Sequence, residues 1–260
     1  MDIRIYFLLF IIYSFLGWCM EVAYKKYMTK KLGDRGFLIG PVCPIYGMGA
    51  ILITLILGNF KNNPVLLFVM AILVCGTLEY LTSYIMEKIF HARWWDYSTY
   101  KFNINGRVAL HTIIPFGLLG LAIIYILNPF FIDKLEMLSD TSINIAVIGF
   151  LSLMLVDLIV SVVITIYITR ITKEVGEEMD NTDEITEKVR EILLGKSILY
   201  RRIVIAYPSW KTIKVKVKEK HQKIKKHIKA QKDDIKDNIE KQKKAIKQKV
   251  GGRNREQGKK

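Results

Sequence analysis

Apolar residues in this chain fall into five long runs, at 3–24, 36–58, 64–86, 108–127 and 143–168, separated by shorter polar stretches. A helix rises about 1.5 Å per residue, so each run is long enough to cross a hydrocarbon core of about 30 Å. The pattern predicts an all-α, polytopic membrane bundle of about five transmembrane helices and excludes most soluble enzymes.

Basic residues orient the runs, because lysine and arginine resist translocation. Lys25, Lys26, Lys30, Lys31 and Arg35 follow the first run, and Lys88, Arg93, Lys101 and Arg107 follow the third. The second and fourth loops hold only Lys61 and Lys134, and 27 of the 39 basic residues lie beyond residue 168. Five spans then put every rich loop on one side, with the N-terminus outside and the C-terminus inside. The first run reads as a span rather than a cleaved signal, since Asp2 offsets Arg4 and Glu21 occupies the stretch where small cleavage-site residues belong. Cys19, Cys43 and Cys75 lie inside apolar runs without paired spacing, as buried small hydrophobes do.

A charged side chain at the centre of a membrane helix costs about 2.5–3.5 kcal/mol, so each needs a reason. The carboxylates inside the runs are Glu21, Glu79 and Asp157. Each either pairs with a basic residue of a neighbouring helix or serves a site. Cys75, Glu79, Ser83 and Glu87 recur every four residues and share a helix face. Ser14, Gly17, Trp18 and Glu21 form a second stripe, and Asp157, Ser161 and Thr165 a third. Three polar stripes converge on one interior, whether a wet cavity or a dry interhelical network.

The second run is the least regular, with four glycines and two prolines between Gly36 and Gly49. Pro44 suits the first position of a helix, and a helix over 44–58 spans only about 22 Å. Residues 36–43 are then expected to dip into the membrane as irregular backbone, leaving a helix N-terminus beside Arg35 where an anionic group can bind. A continuous helix kinked at proline is the alternative. The third loop interleaves Phe90, Trp94, Trp95, Tyr97, Tyr100 and Phe102 with Arg93, Asp96 and Arg107. Its Asn105-Gly106 pair signals a tight turn. The loop is expected to cap the cytoplasmic end of the bundle, with His111 opening the fourth span. Glu87 and His91, one helical turn apart, do not make a metal site.

Arg35-Gly36-Phe37-Leu38, Gly40-Pro41 and Pro44-Ile45-Tyr46-Gly47 resemble a family of bacterial membrane proteins labelled ABC-transporter permease, CmpB-like. Gly17-Trp18 with Glu21, Glu79-Tyr80-Leu81-Thr82-Ser83, Trp94-Trp95-Asp96-Tyr97 and Asn105-Gly106-Arg107 extend the resemblance over about residues 3–125. It implies a multipass protein of the bacterial plasma membrane. No nucleotide-binding half is present: Gly195-Lys196-Ser197 lacks the leading glycine of a P-loop, since Arg190 stands there. An ATPase, if one drives this protein, is a separate subunit. With no recognised nucleophile or metal spacing, neither an enzyme nor a cofactor is expected.

Composition divides the chain into a bundle (1–172), an acidic and then interfacial amphipathic linker (173–210) and a lysine-rich tail (211–260). In the linker, Ile185, Val189, Ile192 and Leu193 share a helical face between an acidic first turn and Gly195. In the tail, Ile213, Ile224, Ile235 and Ile246 are spaced by eleven, as are Val217, Ile228, Ile239 and Val250. Eleven residues make three turns and a nearly straight apolar stripe. With sixteen lysines and five acids over 211–250, this stripe has three possible fates. It lies on anionic inner-leaflet lipids, forms a right-handed coiled coil with copies of itself or a partner, or stays disordered until bound. Nucleic acid is a less favoured partner.

The expected function is a transporter or permease-like component with a cytoplasm-facing polar site. That site is assigned to Glu21, Arg35, Gly40, Pro41, Pro44, Tyr46, Gly47, Glu79, Glu87, Trp95, Asp96, Arg107 and His111. Its carboxylates would bind a cation or relay protons, while Arg35 and the broken helix would hold an anionic group. The alternative is a non-transporting scaffold or envelope regulator that recruits partners through its tail.

Overall fold

In a computed structural model, residues 2–30, 33, 35–179, 181–207 and 209–212 are described, and the apolar runs among them fold as helices. The eleven-residue repeat lies outside the described residues. Helix α1 (Ile3–Thr29) starts on Asp2, whose carboxylate accepts the Arg4 amide at 2.8 Å, and ends where Lys30 turns left-handed. Helix α2 (Pro44–Leu52) places proline at its first turn, where the missing N–H costs nothing. It continues through a π turn (Ile53–Leu57) and a 3-10 turn (Gly58–Phe60). Helix α3 (Pro64–Phe90) repeats the proline start and adds an Asn63 cap on Leu66.

Helix α4 (Leu110–Ala122) runs through a second π turn (Ile123–Leu127) into α5 (Asn128–Glu136). Helix α6 (Asp140–Glu178) starts on the Ser139 hydroxyl. Two short amphipathic helices follow, α7 (Thr182–Leu194) and α8 (Ile198–Ala206).

Among the described residues, four helical stretches are long and apolar enough to cross a membrane: Ile3–Thr29, Pro64–Phe90, Leu110–Glu136 and Asp140–Gly176. The expected fifth, second in the chain, is not one helix. Residues 36–43 are non-helical, and the apolar helix Pro44–Phe60 is about 25 Å long at the usual rise. Contacts nevertheless carry this segment from the middle of α1 to its start. Cys43 donates its amide to Ser14 at 2.9 Å, while Tyr125 donates to the Lys61 carbonyl at 2.5 Å, and Arg4 reaches Asp140 at 2.8 Å. One end of the bundle thus gathers Arg4, Lys61 and Asp140. The other gathers Lys25, Glu87, Arg107 and helices α7 and α8.

Small residues allow α1 and α2 to touch. A side chain on Gly47 would strike Ser14 Oγ and the Phe10 carbonyl, and one on Gly17 would strike the Tyr46 ring. At the Arg4 end the core is Leu9, Ile53, Leu57, Leu67, Ala71 and Ile124. At the Glu87 end a second core packs Phe90, Trp94, Ile168, Val189, Leu193 and Ile203. In the stretch expected to lie at a membrane interface, Ile203, Val204, Ala206 and Trp210 are buried in protein, while Ile198, Leu199 and Ile205 are exposed. Strand β1 (Ala92–Arg93) pairs antiparallel with the returning strand β4 (Lys211–Thr212). A hairpin joins β2 (Asn103–Ile104) to β3 (Val108–Ala109). Asn105 and Gly106 both take positive φ there, which explains the Asn-Gly pair.

Candidate functional site

The non-helical segment 36–43 must satisfy its backbone amides without a helix. Asp157, in the middle of α6, accepts the amides of Ile39 and Gly40, both at 2.7 Å, and the Ser161 hydroxyl at 3.1 Å. Arg202 of α8 donates to the carbonyl of Gly36 at 3.1 Å. Val42 donates to the Gly40 carbonyl at 2.8 Å. The segment is a built feature, held from two distant helices.

Beside it lies a cavity of about 210 Å³. Its walls come from α1 (Glu21), α2 (Tyr46, Gly49), α3 (Cys75, Glu79) and α4 (Phe116, Leu119). Trp94, Trp95 and Tyr97 of the third loop cover it together with Tyr207 and Ser209. Tyr46 donates to Glu21 Oε1 at 2.7 Å, and Arg35 lies 3.9 Å from Glu21 Oε2. Arg35 also donates to the Ala206 carbonyl at 2.9 Å, and Lys25 to that of Ile205 at 2.9 Å. Two basic residues of the site's rim thereby hold the chain that closes it.

Glu79 is buried on the opposite wall, with the Thr112 hydroxyl 3.5 Å away and Tyr97 as a further hydroxyl partner. Burial pushes the Tyr97 phenol far above its ordinary range, and the negative charges of Glu79 and Glu21 push the same way. Tyr97 therefore stays a hydrogen-bond donor. Burial does the same to the Tyr207 phenol. Trp94 has a buried indole N–H with no acceptor among the described residues.

Of the thirteen residues expected at the site, Glu21, Arg35, Tyr46, Glu79 and Trp95 line this cavity. Gly40 belongs to the Asp157 clasp, Pro41 is exposed, Pro44 starts α2 and Gly47 is consumed in packing on α1. Glu87, Asp96 and Arg107 sit in a separate network beneath the third loop. Arg107 pairs with Glu87 at 2.7 Å, and Arg93 reaches Glu87 at 3.2 Å and Asp96 at 3.5 Å. Trp95 touches both places, because its indole donates to the Arg107 carbonyl at 3.0 Å. His111 is exposed and stacks on Tyr100 with ring centroids 4.2 Å apart.

Sequence reasoning left out Tyr97, Trp94, Tyr207 and Ser209. Tyr97 and Trp94 look like membrane-boundary anchors, and nothing local tells Tyr207 and Ser209 from other linker residues. No group of three or more potential metal ligands occurs among the described residues. The donor set instead suits a polar or charged organic molecule: two carboxylates, one guanidinium and a largely aromatic and aliphatic wall.

No curated protein and no solved structure matches the chain. Residues 8–162 match the protein family described as Putative ABC-transporter type IV. That range holds most of the cavity wall and the whole Asp157 clasp on residues 39–40, and it stops short of Tyr207 and Ser209.

Proposed function

Because the chain belongs to this ABC-transporter type IV family, we propose that it is the solute-handling membrane component of a transporter in a bacterial plasma membrane. The Glu87 end faces the cytoplasm, as the basic loops require. The observation that carries this reading is the cavity beside a broken second passage, where transporters with discontinuous helices place their solutes. Glu21, Glu79 and Arg35 supply its polar contacts. Tyr207 and Ser209 line the cavity beside Ile205 and Ala206, whose carbonyls Lys25 and Arg35 hold, and they must part before a solute enters from the cytoplasm. In this reading the ATPase that drives such a transporter is a separate subunit.

The test is recovery of the tagged full chain from its host in a mild detergent, followed by mass spectrometry of what remains bound. A stoichiometric ATPase, lost when the loops at the Glu87 end are substituted, supports the transporter. A non-ATPase partner that disappears when residues 211–260 are deleted supports a scaffold working through its basic tail.

A further inference from the structure

Glu79 is only 6% exposed and makes no ion pair among the described residues. Its partners are hydroxyls. The lone guanidinium of the cavity, Arg35, is engaged elsewhere, with Glu21 and with the Ala206 carbonyl. Glu21 and Glu79 line the same cavity. Among the described residues the cavity is therefore lined by two carboxylates and one guanidinium, and a carboxylate left without a cation in such surroundings is costly.

The rest of the wall is aromatic: Tyr46, Trp94, Trp95, Tyr97, Phe116 and Tyr207. Ring faces beside a carboxylate attract ammonium groups whose charge is spread over an apolar body. A bare metal ion finds no cluster of three ligands among the described residues. At about 210 Å³ the space is smaller than a typical drug-sized pocket.

The geometry points to a small organic cation as the occupant, an ammonium of compact apolar shape. Its charge offsets Glu79 and its body packs on the rings. This assignment rests on reading the cavity as the solute site.

The experiment measures thermal unfolding of the detergent-solubilised full chain with choline, with tetramethylammonium, with 3,3-dimethylbutan-1-ol (the uncharged isostere of choline) and with acetate. Choline is expected to raise the midpoint by several degrees, on the order of 5 °C near saturation. Tetramethylammonium should act in the same direction, and the alcohol and acetate not at all. Glu79→Gln should lose the choline shift. Should that variant fail to insert, Phe116→Leu, which removes one ring of the wall, is expected to shrink the choline shift.

Equal action by the uncharged alcohol, or a shift with acetate alone, overturns the assignment. So does the absence of a shift with either cation. Labelling of Cys75 by a small methanethiosulfonate, located by peptide mass spectrometry, then separates the two readings. A labelled Cys75 without cation binding removes the organic cation and leaves a reachable solute site. An unlabelled Cys75 without cation binding removes both.

Discussion

Arg107 sets its guanidinium 2.7 Å from the carboxylate of Glu87, fastening the start of α4 to the end of α3. Both side chains are largely buried, at 7% and 16% exposure. Ser83 accepts a second N–H at 3.2 Å, and the rings of Tyr80 and Tyr84 lie under the cation at 5.7 and 5.4 Å. Breaking a pair of this kind is far more costly than never having built it, because the remaining charge stays buried. Glu87→Gln is expected to cost about 3–5 kcal/mol. Arg107→Lys should also destabilise, since a lysine cannot reach Glu87 and Ser83 together. Unfolding in detergent measures both, and unchanged midpoints would deny the pair any fastening role.

Asp157 gives a second expectation. Truncation to alanine leaves the amides of Ile39 and Gly40 without an acceptor, at about 1–3 kcal/mol for each. Asp157→Asn retains one oxygen and should fall between alanine and the wild type. Hydrogen exchange at residues 39 and 40 reports the clasp directly: exchange as slow in Asp157→Ala as in the wild type would show that another group satisfies these amides.

Gly47 in α2 and Gly58 in the turn that follows should respond differently. Gly47→Val drives carbon into Ser14 and the Phe10 carbonyl and must push α2 off α1. Overpacking of this kind costs about 1–3 kcal/mol or more. Nothing lies within 4 Å of a side chain placed on Gly58. Gly58→Ala should therefore change stability by less than about 0.5 kcal/mol. Equal loss in the two variants would mean that backbone freedom, not helix contact, is what these glycines supply.

Leu193 is 1% exposed in the core at the Glu87 end, and Leu193→Ala is expected to cost about 2–5 kcal/mol there. Limited proteolysis near residues 195–197 should accelerate as α7 and α8 loosen. A variant as resistant as the wild type would show that α8 holds on without α7.

Asp96 links the third loop to pH. Burial pushes its carboxyl upward, but the Ser98 amide and hydroxyl and the charges of Arg93 and Lys211 outweigh it, leaving the group below the ordinary carboxylate range. A lowered folded-state value means that the unfolded chain binds this proton more readily. The contribution to stability is then fully present above about pH 4, the unfolded value, and disappears as pH falls through the lower folded value. Proteolytic susceptibility of residues 94–107 should rise over that acid range in the wild type and show less pH dependence in Asp96→Asn. Identical profiles would remove Asp96 from the account.

Much of this architecture can be read from local pattern. Proline at 44 and at 64 marks helix starts because each ring fits a first turn, and Asn105-Gly106 marks the hairpin because both positions need positive φ. Of the polar stripe through Glu79, Cys75 and Glu79 line the cavity, whereas Ser83 and Glu87 turn to Arg107. What local pattern cannot supply is the partner across the fold. Asp157 shows as a costly charge in an apolar helix, yet its acceptor role depends on amides 117 residues earlier. Tyr207 and Trp94 pack with ring centroids 4.8 Å apart, but one reads as linker and the other as a boundary anchor. Glu87 and Arg107 carry the charge of site residues and are spent on each other. The candidate site was therefore legible in its carboxylates and largely hidden in its aromatic walls.

The Asp157 clasp also fixes an order in time. A ribosome delivers residues 36–43 long before it delivers α6, so while the intervening helices form, two amides of this segment lack the carboxylate that accepts them. The segment is completed from a residue 117 positions later. Nascent chains released before residue 157 should remain unfinished there, and they are natural prey for membrane quality control.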